Sequence, residues 1–194
     1  LGLATDRYPR GFGSVDLAAH DAFARRVAGA ATTLVRDPGV LPLAAGDFAV
    51  ILDDDGELSY EDALPRGLDR RGIGWGIVRT GMDAAERAAL LDRARGARAV
   101  LVPIFSAIKA WKDRSDLPPD LADTVREIVR DCGPTVVVTF SNPYLLHQFP
   151  AVAGYVCAYG ATSHMQEAAL AALCGEAPFP GRLPVTLDLP AIRA

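Results

Sequence analysis

Three runs of apolar and β-branched residues do most to constrain the fold of this chain. They cover residues 48–52, 99–104 and 135–140, and none of them alternates between apolar and polar positions. A strand with one face in water shows such alternation, whereas a strand that is buried on both faces does not. We therefore expect these three runs to form the centre of a mostly parallel sheet.

Segments with helical periodicity separate these runs. We predict helices at 83–95, 118–132 and 163–174, shorter strands at 75–78 and 155–158, and irregular or weakly helical structure at 57–72. Strands that alternate with helices of about 10–15 residues are typical of layered α/β folds. The predicted fold class is therefore α/β, a three-layer sandwich in which helices flank a mostly parallel sheet.

The length of 194 residues fits one domain. Residues 1–13 are rich in Gly, Pro and Arg, and we interpret them as a linker or lead-in arm before a single domain over 14–194. The sequence begins with Leu1 and shows no signal segment at that end. Our expectation is that the chain is a piece of a longer protein, and its cellular compartment stays open.

The first helix is predicted to follow Ser14, a residue suited to an N-cap, and to run to about Leu34. Phe23, Val27, Ala31 and Leu34 recur along it at helical spacing. Because one apolar stripe on a helix normally faces the core, we expect these side chains to be buried.

The last helix shows a capping-box pattern, in which Ser163 is followed three residues later by Gln166. Gly175 is placed to end that helix. Residues 183–187 are predicted to form a final short strand, and Pro184 places it near an edge of the sheet.

Composition excludes several classes of function. The net charge is −4, and the basic residues are scattered rather than gathered in the patch that a nucleic-acid binder shows. No apolar run approaches the ~20 residues that cross a bilayer. Cys132, Cys157 and Cys174 form no CxxC pair and the three histidines share no ligand spacing, so we predict no metal, no cofactor and no disulfide framework.

Two motifs that suggest catalysis or nucleotide binding lack the required context. Gly72, Gly74 and Gly76 precede a predicted strand, whereas a dinucleotide fingerprint lies between a strand and a helix. Ser141 follows a strand, but Phe140 and Asn142 flank it, so it is not in the GxSxG elbow of a hydrolase. The residues alone predict no catalytic set.

The candidate site residues follow the predicted strands, where open α/β sheets place their ligand crevice. Asp54 lies in an acidic turn that is either a solvated turn or a ligand-facing edge, and Ser106, Asn142 and Tyr144 follow the next strands. Trp111 belongs to a polar loop, where it would stack on a sugar, pack on a neighbouring domain or have a purely structural role.

Four stretches taken together resemble the C-terminal domain of family 3 glycoside hydrolases. They are residues 24–43 (ARRVAGAATTLVRDPGVLPL), 135–149 (TVVVTFSNPYLLHQF), 155–161 (YVCAYGA) and 175–187 (GEAPFPGRLPVTL). Within that family, the chain is most similar to the bacterial β-N-acetylhexosaminidases. The resemblance covers nearly the whole chain and implies the α/β sandwich described above.

The resemblance implies a retaining glycosidase, in which one carboxylate attacks the anomeric carbon and a second group moves the proton. In the family the nucleophile is an Asp of a TIM-type barrel, and no barrel segment occurs in this chain. In the β-glucosidase branch a Glu from this second domain reaches the barrel, but residues 106–120 contain no Glu. We therefore transfer no catalytic residue and expect the chain to border a sugar site with Asp54, Ser106, Trp111, Asn142 and Tyr144.

The implied partners are the barrel of the same parent protein and a carbohydrate substrate, with no nucleic acid and no membrane span. We expect the apolar surface that meets the barrel at residues 1–13 and 175–184. The alternatives are a standalone carbohydrate- or partner-binding module without catalysis, and a small-molecule enzyme on a nucleotide-binding fold.

Overall fold

A computed structural model describes residues 16–37, 39–54, 56, 58, 62–109, 112 and 114–187, and in them the chain forms five α-helices and six strands. The helices are Leu17–Ala31 (α1), Ala63–Arg70 (α2), Ala84–Arg95 (α3), Pro119–Asp131 (α4) and Ser163–Leu173 (α5). The strands are Thr33–Arg36 (β1), Phe48–Asp53 (β2), Gly74–Arg79 (β3), Val100–Phe105 (β4), Thr135–Thr139 (β5) and Gly154–Cys157 (β6). A 3₁₀ helix covers Pro143–Gln148. The predicted linker over 1–13 and the N-cap at Ser14 lie outside the described residues.

All six strands belong to one sheet with the order β1-β6-β5-β4-β2-β3. Only the edge pair of β1 with β6 is antiparallel among the described strands, and the other pairs are parallel. Strands β2, β4 and β5 are buried along their whole length, as their apolar runs predict. The predicted mostly parallel α/β sheet is confirmed.

Each face of the sheet has its own apolar core. Val50 and Leu52 of β2 pack with residues of α3 and α4, whereas Ala49 and Ile51 of the same strand pack with residues of α2 and α5. This division follows from the alternation of side chains across a strand. The result is the expected arrangement of helices on both sides of the sheet. None of the five described helices combines the length and apolar character that crossing a bilayer requires.

The first helix ends three residues earlier than the sequence suggests. Helix α1 ends at Ala31, and Thr33–Arg36 instead forms β1, which pairs with β6. Thr32 closes the helix, because its backbone N–H and its hydroxyl both donate to the carbonyl of Ala28. The following β-branched and aliphatic residues favour a strand.

Helix α1 also turns its large apolar side chains away from the core. Phe23 and Val27 are 58% and 47% exposed, so the expectation that they are buried was wrong. The small side chain of Ala28 is buried instead, and α1 packs against α5. Arg25 connects the two helices through an ion pair with Glu167 at 2.9 Å. Small residues allow close helix approach, and periodicity alone does not show which face makes the contact.

The start of α5 differs from the predicted capping box. Thr162 is the N-cap residue and makes no side-chain capping bond. The Gln166 amide instead accepts from the backbone N–H of Leu64 at 2.8 Å and donates to the carbonyl of Ala161 at 2.7 Å. It therefore joins α5 to the first turn of α2. Gly175 ends the helix as predicted, with φ +74°.

The predicted strand over 183–187 is absent from the structure. Leu183 and Leu187 are half-buried against the core on the α3 and α4 side, but this segment pairs with no strand among the described residues. Pro184 has no N–H to donate to a ladder. The chain instead passes the outer edge of the sheet at Gly181, whose N–H donates to the carbonyl of Thr32. The boundaries of a single domain over 14–194 stay a prediction.

Candidate functional site at the C-terminal edge of the sheet

The connections of the sheet create a crevice between β2 and β4. From β2 the chain continues outward to β3, and then it crosses to β4 on the other side of β2. Open α/β sheets bind ligands at such a change of direction, beyond the C-terminal ends of the strands. Asp53 and Phe105 are register partners at these two ends, and the N–H of Asp54 donates to the carbonyl of Phe105 at 3.0 Å.

Asp54 is the centre of a polar cluster at this point. Its side chain is 1% exposed, and its carboxylate accepts bonds from three side chains. Ser106 Oγ and Lys112 Nζ each lie 2.7 Å from Oδ2, and Arg114 Nη2 lies 2.9 Å from Oδ1. The structure thus brings two predicted site residues, Asp54 and Ser106, into direct contact.

The electrostatics of this cluster favour an ionised Asp54. Burial alone would raise the pKa of the Asp54 carboxyl group, but the hydrogen bonds from Arg114, Lys112 and Ser106 outweigh burial and lower that pKa. Arg114 also donates to the carbonyl of Asp116 at 2.7 Å. Asp54 therefore holds the loop that follows β4 in place.

Asn142 is also a loop-ordering residue. It is the N-cap of the 3₁₀ helix, where its Oδ1 accepts from the N–H of Tyr144 at 3.0 Å. Its Nδ2 donates to the carbonyl of Ser115 at 3.3 Å, so it ties the loop after β5 to the loop after β4.

The ring of Tyr144 is available at the surface. The residue is 46% exposed, and its ring centroid lies 6.0 Å from that of His147. An exposed aromatic ring beside a strand end can stack on a sugar face. Ile108, in the loop after β4, is 65% exposed. Trp111, the remaining predicted site residue, lies outside the described residues.

Asp53 is not among the predicted site residues, and it is 1% exposed. Its Oδ2 accepts from the N–H of Leu58 and from Arg79 Nε, each at 3.2 Å. Its Oδ1 has no partner among the described residues. The interpretation of the acidic turn as simply solvated is therefore wrong for both Asp53 and Asp54. Asp53 is the register partner of Arg79 on the neighbouring strand β3. This pairing is the signal that marks Asp53 as part of strand β2 rather than of the turn.

A cavity of about 230 Å³ lies at this edge. Its walls combine carboxylates, a hydroxyl, an amide and apolar side chains. The lining residues are Asp53, Leu58, Asp62, Phe105, Ser106, Ala107, Phe140, Ala161 and Gln166. The rings of Phe105 and Phe140 are stacked, with centroids 4.5 Å apart. Hydroxyl-bearing ligands are chemically suited to such a mixture.

Cysteine nucleophiles and clustered metal ligands are not features of the described residues. No group of three or more His, Cys, Asp or Glu side chains in this part of the chain could hold a metal ion. Burial raises the pKa of the Cys157 thiol to about 12 and that of Cys174 to about 11. These thiols stay protonated near neutral pH, and the thiolate is the nucleophilic form.

The dinucleotide interpretation of the glycines also finds no support in the fold. Gly74 and Gly76 lie within β3 rather than in a turn between a strand and a helix. A side chain at Gly76 would meet Leu90, so the close packing of α3 on β3 accounts for this glycine.

The comparison with known sequences identifies one relative. Over 188 residues the chain is 30% identical to a Cellulomonas fimi protein named β-N-acetylglucosaminidase/β-glucosidase, and this match covers 86% of the chain and 32% of the relative. No family model matches the chain.

Solved structures show the same fold. A β-glucoside phosphorylase, BglX, matches with a TM-score of 0.70 and 22% identity over 89% of this chain and 32% of its own. A family 3 β-N-acetylglucosaminidase from Paenibacillus sp. str. FPU-7 matches with a TM-score of 0.69 and 19% identity over 97% of this chain and 36% of its own. The resemblance to the C-terminal domain of family 3 glycoside hydrolases is confirmed. The chain spans about a third of the length of these relatives.

Proposed function

We propose that the chain is the accessory C-terminal domain of a retaining family 3 glycoside hydrolase and borders the sugar site of a catalytic barrel. The observation that supports this most is the form of the sequence match. It covers 86% of this chain but 32% of a relative named β-N-acetylglucosaminidase/β-glucosidase. A chain that is one domain of a two-domain enzyme is expected to give such a match. A separate binding module gives no reason to expect it.

The sheet edge between β2 and β4 is the surface that would face the sugar. Asp54 and Asn142 order the loops at this edge, and Tyr144 and Ile108 remain exposed on it. Ordered loops on a rigid sheet hold a ligand more accurately than mobile ones. In this arrangement Tyr144 packs on the substrate, and Asp54, Ser106 and Asn142 act by positioning.

Catalysis is assigned to the barrel. The loop between β4 and α4 contains no Glu to serve as the proton donor that the β-glucosidase branch takes from this domain. Two cationic side chains of this loop, Lys112 and Arg114, are ion-paired with Asp54. The proposed substrate is an N-acetylhexosaminide, and the name of the Cellulomonas fimi relative gives both a β-N-acetylglucosaminidase and a β-glucosidase activity for that protein.

A domain exchange tests this proposal. The C-terminal domain of the Cellulomonas fimi relative is replaced by this chain, and hydrolysis of p-nitrophenyl N-acetylglucosaminide is measured beside the barrel without any C-terminal domain. The proposal predicts that the exchanged protein has a higher kcat/KM than the barrel alone. A folded exchanged protein with no gain over the barrel would contradict it.

Two substitutions in the exchanged protein test whether the sugar contacts the sheet edge or another part of the surface. Tyr144→Ala should raise KM by several-fold, because a stacking contact with the sugar is lost. Phe23→Ala is the matched control, since it removes an exposed aromatic ring on α1, where Phe23 is 58% exposed and Tyr144 is 46% exposed. Equal effects of the two substitutions would argue against a sugar site at this edge.

A further inference from the structure

The cavity between the C-terminal edge of the sheet and α5 has no role in the proposed function. Three of its apolar lining residues, Leu58, Phe105 and Phe140, belong to the core on the α2 and α5 side of the sheet. Asp53 lies at its wall, and its side chain is 1% exposed. The cavity is thus a separate space behind the Asp54 cluster, with Ser106 shared between the two.

The carboxylate of Asp53 is incompletely bonded. Leu58 and Arg79 both donate to Oδ2, while Oδ1 has no partner among the described residues. Buried polar atoms are almost always hydrogen-bonded, and an unpaired one is costly. Asp47 also has an unpaired Oδ1, but it does not line this cavity. The cavity beside Asp53 provides room for a ligand that donates the missing hydrogen bond.

The polar groups of the cavity favour a ligand rich in donors. Ser106 donates its only proton to Asp54, so its oxygen can only accept further bonds. The Gln166 amide oxygen accepts from the N–H of Leu64, and one of its two N–H groups donates to the carbonyl of Ala161. Hydroxyl groups of a ligand would satisfy Asp53 and Ser106, and its C–H groups would contact the stacked Phe rings.

The charge balance favours a neutral ligand over a cation. Arg79 lies 3.2 Å from Asp53, and Lys112 and Arg114 lie within 3 Å of Asp54. Asp53 and the adjacent Asp54 are therefore compensated by three cationic side chains, and Asp62, the other carboxylate that lines the cavity, has an interaction partner of its own, so the wall offers little net attraction to a metal ion or an ammonium group.

We infer that this cavity binds a neutral, hydroxyl-rich small molecule, a polyol or a single sugar ring, through Asp53 Oδ1. The volume of about 230 Å³ is small for a ligand pocket and excludes an oligosaccharide. The binding groups all belong to this chain, so the inference does not depend on a catalytic barrel. It goes beyond the proposed function, which concerns the exposed surface around Tyr144.

The test is a two-dimensional amide NMR titration of the 194-residue chain with glucose, N-acetylglucosamine and myo-inositol, each in turn. We expect saturable shifts for at least one of these probes, centred on the N–H groups of Leu58 and Ala107. Magnesium chloride and ethylammonium chloride serve as the cationic probes. No saturable shift with any hydroxyl-rich probe, or saturation at the cavity by the cations alone, would overturn the inference.

Two variants locate the binding, and a third is their control. Asp53→Asn places an amide donor where Oδ1 accepts, because the oxygen of the new side chain is retained by Leu58 and Arg79, and it should weaken binding at least about tenfold. Ala161→Phe fills the cavity from an exposed position and should abolish binding without disturbing the core.

Asp47→Asn is the matched control. Asp47 is a buried carboxylate at the other end of β2, and its Oδ2 accepts from Ala44 and Arg98 in the same way. This variant should bind as the unmodified chain does. Binding that survives both Asp53→Asn and Ala161→Phe would overturn the inference, and the domain exchange would still test the proposed function independently.

Discussion

Asp54 connects the loops that follow β2 and β4 through charge-assisted hydrogen bonds in a nearly dry setting. Such bonds are roughly twice as strong as neutral ones. The carboxylate is 1% exposed, and its partner Lys112 is 11% exposed. Removal of the carboxylate charge would remove the ion pairs that Lys112 and Arg114 make with Asp54 at the edge of the sheet.

Asp54→Asn should therefore lower the free energy of unfolding by about 2 kcal/mol. The measurement is urea denaturation followed by circular dichroism. Asp123→Asn is the matched control, because its ion pair with Arg126 is exposed on α4 and should change the free energy of unfolding by less than about 0.5 kcal/mol. Equal losses in the two variants would contradict the role of Asp54.

The same contacts predict a pH dependence. The pKa of Asp54 is lowered from its ordinary value of 3.8 in the folded chain, so its stabilising effect is complete above that value and is lost as the pH falls. The difference in free energy of unfolding between the unmodified chain and Asp54→Asn should be constant above about pH 5 and shrink below it. A difference that persists unchanged to about pH 3 would contradict the lowered pKa.

For individual residues, the sequence predicted their position in the fold better than it predicted their contacts. The rule that ligands bind beyond the ends of parallel strands placed Asp54 and Ser106 correctly at one edge. It could not distinguish Asp53 from Asp54, because two adjacent residues point to opposite sides of a strand and their partners come from distant segments. Arg79 and Arg114 are separated from these residues by 26 and 60 positions.

Helix α1 presents an apolar face that nothing in the described residues covers. Leu17, Phe23 and Val27 are all about half exposed or more. The expected apolar docking surface at 175–184 shows no such side chain, since the exposed large apolar residues of the described chain lie on α1 and at the sheet edge. Arg26 lies 5.4 Å above the ring of Phe23.

Phe23→Ala should thus cost less than about 1 kcal/mol in free energy of unfolding, and the loss of the contact with Arg26 accounts for most of it. Phe149→Ala removes the same side chain from a buried position in the core and should cost about 3–5 kcal/mol. Thermal or urea unfolding of the two variants gives the comparison. A large loss in Phe23→Ala would show that the ring is packed against the domain.

The elements that the sequence predicted best are those with the strongest local signals. The apolar runs of β2, β4 and β5 are visible because burial on both faces removes polar residues from the strand. Strand β1 was missed because Leu34 continues the apolar spacing of α1, and only the pairing with β6 defines the strand. The segment 183–187 has the composition of a strand but finds no partner, which no local pattern reveals.

At the scale of the whole molecule, the order of the strands determines where the candidate site lies. The change of direction between β2 and β4 gathers residues from three loops at one end of the sheet. Sequence reasoning gave the class of the fold, whereas the register, the antiparallel edge strand and the cavity beside Asp53 depend on contacts between distant segments. The chain matches about a third of each relative, and the proposal that this edge borders a larger sugar site rests on that match.

The central claim is that the chain contributes the border of a glycosidase site and no catalytic group. The most direct test is the turnover of p-nitrophenyl N-acetylglucosaminide and p-nitrophenyl glucoside by the purified 194-residue chain alone. The account predicts release of p-nitrophenol at the rate of the protein-free control. Release that increases in proportion to the concentration of the chain, and is lost in Asp54→Asn, would contradict it.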